Sequence, residues 1–151
     1  MRLHRICKRE FGESSSAAFS GQGGVVGSGR WHQRGHPVVY TSMHRSLALL
    51  EIRVHLDSRI PVADFVAWEI EIPDKFIQKS DDLPGDWNHD LEVSRYYGTQ
   101  WLVGRKSVAL QVPSVIVPGE SNILLNPMHR EFDFGWVKAG PIPIEIDRRL
   151  I

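Results

Sequence analysis

Three residues that could together bind and cleave a charged, ring-bearing ligand follow one another early in the chain. Arg30 comes directly after Gly29, Tyr40 ends a β-rich run, and Glu51 stands in a mostly apolar segment with helical spacing. Glycine lets the backbone approach a ligand closely, and a planar guanidinium matches a phosphate group. A tyrosine ring can stack on a heteroaromatic ring, and a carboxylate can stabilise a developing positive charge. We therefore expect these groups to share one pocket.

Each of these residues also has an ordinary structural explanation. Glu51 lies close to the apolar stripe of its predicted helix, where an ionised carboxylate needs a partner. An i,i+4 pair with His55, or a salt bridge to Arg45 or Arg53 on an exposed edge, would supply one. Arg30 could pair with a nearby acid on the surface, and Tyr40 could be an aromatic residue at the edge of the core whose hydroxyl reaches water. The residue types alone leave the structural and the functional explanations open.

Other reactive residue types give weaker signals. Trp31 points away from Arg30 if the segment is extended, so it is expected in the core. Ser114 lies outside any G-x-S-x-G turn, which favours a ligand-binding or turn serine over a nucleophile. Cys7 falls in a predicted strand and is expected to be a buried structural thiol. The 7 histidines show no zinc-ligand spacing, so no metal site is expected.

The surrounding pattern predicts the elements that position these residues. Ser42 is the expected N-cap of a well-buried helix over residues 44–56, and a second helix is predicted over 94–106. The alternation over residues 66–72 predicts a strand with one face in the core and one in water. The further strands are predicted over residues 3–7, 37–41, 108–112, 115–117, 123–125 and 141–146. Residues 12–29, rich in Gly and Ser, and residues 81–90 are expected to be loops, the first a flexible connection or a lid over a ligand.

Length and composition restrict the class of protein. A chain of 151 residues with 42% hydrophobic residues predicts one α+β domain built on mixed or antiparallel sheets of short strands. The 18 basic residues balance the 18 acidic ones, which argues against a nucleic-acid or membrane partner. No apolar run approaches the roughly 20 residues of a membrane span. A lone cysteine and the lack of a signal-peptide pattern favour the cytoplasm.

Six motifs, taken in order, resemble the RES domain family, and the resemblance covers residues 1–151 as a single RES domain. His32 stands where the family pattern has asparagine. The matching segments are residues 29–32 (G-R-W-N in the family), 37–42 (P-x-V-Y-T-[AS]), 46–56 (A-L-A-x-L-E-x-x-V-H-L), 112–118 (V-P-S-x-x-V-P), 122–129 (N-x-L-x-N-P-x-H) and 146–150 (F-D-x-R-L).

The resemblance implies a fold like that of ADP-ribosyltransferases and a toxin that depletes NAD by cleaving the nicotinamide–ribose bond, as a phosphorylase or a glycohydrolase. An ADP-ribosyltransferase acting on a protein target is the alternative. The family is named for an arginine, a glutamate and a serine, which are here Arg30, Glu51 and Ser114. The expected catalytic residues are Arg30, Tyr40 and Glu51, and the expected substrate-binding residues are Arg30, Trp31, His32, Tyr40, Ser114 and Asn122.

The resemblance also implies partners. They are an antitoxin of the Xre helix-turn-helix type, which blocks the pocket, and a second toxin chain in a homodimer within the complex. NAD is the implied substrate and phosphate a candidate co-substrate, with no cofactor required. Two rival functions remain: a ribonuclease toxin, disfavoured by the neutral charge, and a nucleotide-binding module without catalysis.

Overall fold

The computed structural model describes residues 1–56 and 64–150, and within them seven strands form one sheet. The strands are β1 (Arg2–Lys8), β2 (Val39–Ser42), β3 (Phe65–Glu71), β4 (Ile77–Lys79), β5 (Ala109–Pro113), β6 (Ser121–Leu125) and β7 (Val137–Ile144). Their order across the sheet is β4-β5-β6-β2-β1-β3-β7. β4 and β5 run parallel, and the other neighbouring pairs are antiparallel.

Helices cover the sheet on both sides. They are α1 (Ser15–Ala18), α2 (Gln22–Val26), α3 (Arg45–Arg53) and α4 (Leu91–Gly104), with 3₁₀ turns at Arg9–Phe11, Asp74–Phe76, Phe134–Trp136 and Arg148–Leu150. The predicted α+β class with a mixed, short-stranded sheet is confirmed. Among the helices that the structure describes, none has both the length and the apolar composition needed to cross a membrane.

The core consists of three groups of buried side chains. The first lies on one side of β1, β2, β3 and β6 and includes Phe19, which follows α1. The second joins Trp31 to α4 and the strands β5 and β6. In the third, Ala48 of α3 packs against Ile6, Phe65 and Ala67 of β1 and β3. Because apolar groups cover both faces of the central strands, the sheet is held from both sides.

The structure corrects the predicted exposure of two elements. Ala67 on β3 is fully buried, since α3 covers the face that alternation assigned to water. By contrast, Leu50 on α3 is 36% exposed and Val54, which caps the end of this helix, is 56% exposed, so the prediction of a well-buried helix is wrong for its outer residues. The predicted N-cap is also wrong, because Ser42 is the last residue of β2 and His44 precedes the helix.

Two predicted boundaries differ as well. The segment expected to be a loop over residues 12–29 contains α1 and α2, and the burial of Phe19 fixes it to the core. Residues 115–117, expected to be a strand, form the turn between β5 and β6. β5 ends at Pro113. The turn that follows leads to β6 through Gly119, which has a positive φ of 89°. The strands predicted over residues 3–7, 37–41, 66–72, 108–112 and 123–125 are confirmed within a few residues. The strand predicted over 141–146 runs instead over Val137–Ile144, and the helix predicted over 94–106 runs over Leu91–Gly104.

Candidate active site

A cavity of about 520 Å³ lies against β1, β2 and α3. β1 and β2 pair at His4 and Ser42. The next side chain along β1, Arg5, donates from Nη1 to the main-chain carbonyl of Tyr40 at 3.2 Å. The guanidinium thus supplies the hydrogen bond that the main chain of a paired strand would otherwise donate to that carbonyl. The cavity is completed by the loop before β2 and the turn after β5.

Glu51 faces this cavity from α3, and its carboxylate is held by donors from two other elements. Ser114 donates from Oγ to Glu51 Oε1 at 3.0 Å, and Asn122 donates from Nδ2 to the same oxygen at 2.5 Å. Ser42 in turn donates to Asn122 Oδ1 at 2.6 Å, because β2 and β6 pair in the register that places these two residues opposite each other. The acid is therefore fixed in position without a ligand.

Ser114 also closes the turn in which it lies. Its Oγ accepts from the main-chain N–H groups of Ile116 and Val117, both at 3.1 Å. The side chain is 5% exposed and contacts the carboxylate of Glu51 rather than the cavity. Ser114 thus connects the turn after β5 to the acid on α3, which is a positioning contact and not a nucleophile's geometry.

Arg30 enters the cavity from the loop before β2. Its Nη1 is buried and has no hydrogen-bond partner among the residues that the structure describes, and the same holds for Nε of Arg5. Both arginines line the cavity. A buried donor without an acceptor costs about 1–3 kcal/mol, and more when it is charged. Two such groups at one cavity indicate a site for an anionic ligand that supplies the missing acceptors.

Tyr40 presents its ring to the cavity while its hydroxyl is bound within the loop. The hydroxyl accepts from the main-chain N–H of Trp31 at 3.2 Å and lies 2.8 Å from Nδ1 of His32. Burial raises the pKa of Tyr40, so the hydroxyl stays protonated at neutral pH. Burial lowers the pKa of His32, which favours the neutral ring. The surface that Tyr40 offers to a ligand is therefore mainly its aromatic ring.

Glycine is required at position 29 by this contact. A Cβ atom on Gly29 would lie 2.6 Å from the hydroxyl oxygen of Tyr40 and 2.8 Å from Cε1 of His32. Any larger residue would displace both rings. The carbonyl of Gly29 also accepts from Arg95 Nε at 2.8 Å, so α4 fixes the residue that precedes Arg30.

The next residues of the loop pack directly on α4. Trp31 is 2% exposed and stacks on Trp87 at a centroid distance of 5.5 Å. A Cβ on Gly98 of α4 would lie 1.9 Å from the carbonyl oxygen of Trp31, so the close approach depends on glycine. Gln33 donates its main-chain N–H to Thr99 Oγ1 at 3.0 Å. The loop that carries Arg30 is therefore held against a 14-residue helix.

The structure brings most of the predicted site residues to one place. Arg30, Trp31, Tyr40, Glu51 and Asn122 all line the cavity, with Trp31 contributing mainly to the core beneath it. The other two contact these residues instead. They are His32, which is 4% exposed and bound to Tyr40, and Ser114, which is bound to Glu51.

Arg5 and Ser42 are site residues that sequence reasoning missed. Arg5 stands on β1 and shares a face of the strand with Leu3 and Cys7, so a charged residue on an otherwise apolar face was the available signal. Burial lowers the pKa of Arg5, and the neighbouring Cys7 acts in the opposite direction. Ser42 gave no functional signal, because its contact with Asn122 joins residues that are 80 positions apart.

A metal centre was not expected from the sequence. Within residues 1–56 and 64–150, no three His, Cys, Asp or Glu side chains lie close enough together to hold a metal ion. The cavity is lined by one fixed carboxylate, two guanidinium groups, the imidazoles of His4 and His55 and the aromatic rings of Tyr40 and Trp31. These groups suit an anionic ligand that carries a ring and a bond to be cleaved beside it.

Comparison with known proteins identifies the class to which this fold and cavity belong. Residues 2–144 match the RES domain family. A protein named Toxin Res from Yersinia enterocolitica is 35% identical over 154 residues and covers 99% of both chains. Another Toxin Res, from Photorhabdus laumondii, is 37% identical over 155 residues, covering 100% of this chain and 97% of the relative. The chain therefore belongs to the RES domain family, and these full-length relatives are toxins.

Two further proteins extend the comparison. A protein named Prs ADP-ribosylating toxin, from Sphingobium, is 39% identical over 118 residues and covers 73% of each chain. The crystal structure of the M. tuberculosis MbcT–MbcA toxin–antitoxin complex contains a chain that superposes with a TM-score of 0.72 at 14% identity. That match covers 95% of this chain and 83% of the other. At this identity the likeness concerns the fold alone.

Proposed function

We propose that this protein is the toxin of a toxin–antitoxin pair and that it consumes NAD by cleaving the nicotinamide–ribose bond, as a phosphorylase or a glycohydrolase. The observation that carries the proposal is the pairing of groups in one cavity. The fixed carboxylate of Glu51 faces the same space as two arginines, Arg30 and Arg5, with buried unpartnered donors. The toxins that match over their full length support the biological role.

Two parts of NAD, the pyrophosphate and the nicotinamide riboside, match the two kinds of group in the cavity. Arg30 and Arg5 would donate to the pyrophosphate, whose oxygens supply the acceptors that their buried donors lack. The ring of Tyr40 would stack near the cationic nicotinamide. In this binding mode the ribose would lie between the two arginines and Glu51.

The cleavage step then uses the carboxylate. When the bond from ribose C1′ to the nicotinamide nitrogen breaks, its electron pair moves onto that nitrogen, and the leaving nicotinamide becomes neutral. Positive charge develops at C1′ and the ribose ring oxygen, as in glycoside cleavage. Glu51, held by Asn122 and Ser114, would stabilise that charge or bind the ribose hydroxyls. An oxygen of phosphate or of water would then form the new bond to C1′.

The proposal is tested with the purified chain, NAD, and buffers with and without inorganic phosphate. Nicotinamide and the ribose-containing product are separated by chromatography. We expect nicotinamide in both buffers for a glycohydrolase, with ADP-ribose as the second product. For a phosphorylase we expect nicotinamide release to depend on phosphate and the second product to carry an additional phosphate. Intact NAD that nevertheless raises the melting temperature would instead indicate a binding module.

ADP-ribosyl transfer to a protein is a second candidate, favoured by the Sphingobium relative named for ADP-ribosylating Prs. The same cleavage would occur, but a side chain of the target would attack C1′ in place of phosphate or water. Incubation with purified Prs protein and NAD labelled in its adenine would place the label on Prs. Label found only in small molecules would exclude this candidate for that target.

The partners follow from the same proposal. An Xre-type helix-turn-helix antitoxin would block the cavity, whose rim carries the exposed apolar side chains Val54 and Val115, 56% and 41% exposed. The toxin would form a homodimer within that complex and act in the cytoplasm, where NAD is available. Co-expression with any helix-turn-helix protein encoded beside this chain, followed by purification and light scattering, tests both the complex and its stoichiometry.

A further inference from the structure

A single hydroxyl group joins the loop that carries Arg30 to strand β2. The oxygen of Tyr40 accepts from the N–H of Trp31, the residue next to Arg30, at 3.2 Å. It also lies 2.8 Å from Nδ1 of His32, whose Nε2 lies 2.7 Å from the carbonyl oxygen of Gly27. Gly27 is thus bound to Tyr40 through the imidazole ring of His32, and Trp31 is bound to Tyr40 directly.

The hydrogen-bond partners define which nitrogen of His32 carries the proton. A carbonyl oxygen accepts and cannot donate, so Nε2 must bear the hydrogen that faces Gly27. In the neutral ring Nδ1 is then an acceptor, and the hydroxyl of Tyr40 donates to it. The hydroxyl therefore donates to His32 and accepts from Trp31, which leaves its orientation fully determined.

We propose that His32 is a positioning residue: it orients the hydroxyl of Tyr40 and thereby holds the main chain from which Arg30 reaches the substrate, and a proton taken up by His32 releases this hold. The inference rests on the proposed NAD-cleaving function, in which Arg30 binds the pyrophosphate. It assigns His32 a role behind the cavity, where the ring is 4% exposed, in place of the direct substrate contact expected from the sequence.

Protonation of His32 would reverse the bond to Tyr40. Both ring nitrogens of an imidazolium donate, so Nδ1 would direct a hydrogen toward an oxygen that already accepts from Trp31. The hydroxyl hydrogen of Tyr40 would lose its acceptor. The basic groups that face the ring are Arg95 from α4 and His36 from its own segment. Burial lowers the pKa of His32 below its usual 6.5, the carbonyl of Gly27 acts in the opposite direction, and the two basic neighbours add smaller contributions that lower it.

Two substitutions separate the two contacts of the ring. In His32→Asn the amide oxygen lies the same number of bonds from Cβ as Nδ1, so it can accept from Tyr40 but cannot reach Gly27. In His32→Gln the amide nitrogen lies as far along the side chain as Nε2, so it can donate to the carbonyl of Gly27. No acceptor then remains at the position of Nδ1 for the hydroxyl of Tyr40. If the bond to Tyr40 is the functional one, His32→Asn keeps nicotinamide release within about 3-fold of the wild type. His32→Gln raises KM for NAD about 3- to 10-fold, with a smaller change in kcat, as expected for one lost hydrogen bond.

The pH profile supplies a readout that a purely structural role would not change. We expect kcat/KM of the wild type to fall as the pH drops below 6.5, and this acidic limb to be absent in His32→Asn, which does not titrate there. The proposal is overturned if the wild type and His32→Asn show the same acidic limb, or if His32→Gln keeps more nicotinamide release than His32→Asn.

Nitrogen NMR tests the bond without reference to catalysis. At pH 7.5 the His32 signals, assigned by their loss in His32→Asn, should show hydrogen on Nε2 and an accepting Nδ1. Tyr40→Phe should then shift the Nδ1 resonance toward that of a nitrogen without a hydrogen-bond donor. A hydrogen on Nδ1, or no shift in Tyr40→Phe, overturns the inference even if NAD is cleaved. If the wild type fails to cleave NAD but shows these signals, the proposed function fails while the His32–Tyr40 bond is confirmed.

Discussion

The two sides of the cavity differ in how completely their charged groups are satisfied. On the acid side, Oε1 of Glu51 accepts from Asn122 and Ser114, and Asn122 accepts from Ser42. On the arginine side, Nη1 of Arg30 is buried without a hydrogen-bond partner in the described part of the chain, as is Nε of Arg5. The protein alone supplies hydrogen-bond donors to the carboxylate of Glu51, whereas Arg30 and Arg5 each keep a donor for a ligand.

The difference suits a division between catalysis and binding. A group that stabilises a transition state acts best when it is fixed in advance, because no energy is then spent on orienting it during the reaction. A group that binds an anion gains most when the ligand supplies acceptors that the free protein lacks. We therefore expect substitutions on the acid side to lower kcat and substitutions on the arginine side to raise KM.

Glu51→Gln should have the largest effect. The amide is nearly the same size as the carboxylate and removes the negative charge that faces the developing cation, so kcat for nicotinamide release should fall about 100- to 1,000-fold. Steady-state kinetics with NAD measures this loss. KM should change little, because the pyrophosphate is bound by the opposite side of the cavity.

Glu71→Gln is the matched control for that experiment. Glu71 stands at the end of β3 and pairs with Arg2 on the surface at 3.4 Å. Its loss should leave turnover unchanged, since exposed ion pairs contribute little. Full turnover by Glu51→Gln, with a folded protein by circular dichroism, would remove the acid side from the mechanism.

Arg30→Lys should have the second largest effect, which we expect to be a rise in KM. Lysine keeps the positive charge but loses the planar pair of donors that matches a phosphate. A lost charge-assisted hydrogen bond corresponds to about 10- to 100-fold in kcat/KM. Arg34→Lys is the control, because Arg34 is four positions along the same segment and exposed. A fall in kcat at unchanged KM in Arg30→Lys would show that the arginine acts in the chemical step instead.

The acid side illustrates what sequence reasoning could and could not supply. Glu51 was identifiable because a carboxylate beside an apolar stripe requires a partner. Its partners were not, since Asn122 and Ser114 lie 71 and 63 positions away. Of the neighbours considered from sequence, Arg45 instead pairs with Glu69 at 2.5 Å. Local spacing can show that a charge needs a partner, but the sheet register determines which residue supplies it.

The arginine side shows a different limit. Arg30 follows a glycine and belongs to a recognisable motif. Arg5 lies in a predicted strand, and the pattern of that strand did not indicate a functional site. Its position in the cavity follows from the separation of β1 and β2 beyond the His4–Ser42 pair. Strand patterns report which face a residue occupies, and they carry no information on where two strands diverge. Likewise, the burial of Ala67 depends on the cover that α3 provides.

Gly29→Ala should disturb the arginine side without changing any charge. The added methyl group would lie 2.6 Å from the hydroxyl oxygen of Tyr40, so the loop or the ring must move, at a cost of about 1–3 kcal/mol in the free energy of unfolding. Gly23→Ala is the control, because nothing lies within 4 Å of its Cβ position and it falls within α2. That change should leave stability equal or raise it by up to about 1 kcal/mol. Urea unfolding of both variants measures the difference, and equal stabilities would show that the loop adapts freely.

Ser42→Ala should have the smallest effect and tests how far the fixed geometry of the acid side extends. Asn122 would lose the donor to its Oδ1 and with it part of its orientation toward Glu51. One neutral hydrogen bond corresponds to about 0.5–1.5 kcal/mol in stability, and we expect kcat to fall by a factor of about 2 to 10. Thr41→Val is the matched variant, because Thr41 lines the same cavity and donates to the carbonyl of Ile123 at 2.7 Å, but among the described residues it forms no side-chain hydrogen bond with Glu51 or Asn122. It should lose similar stability at unchanged kcat. Equal kcat in the two variants would limit the fixed geometry to the residues that touch Glu51 directly, since the bond from Ser42 would then stabilise the sheet without orienting the acid.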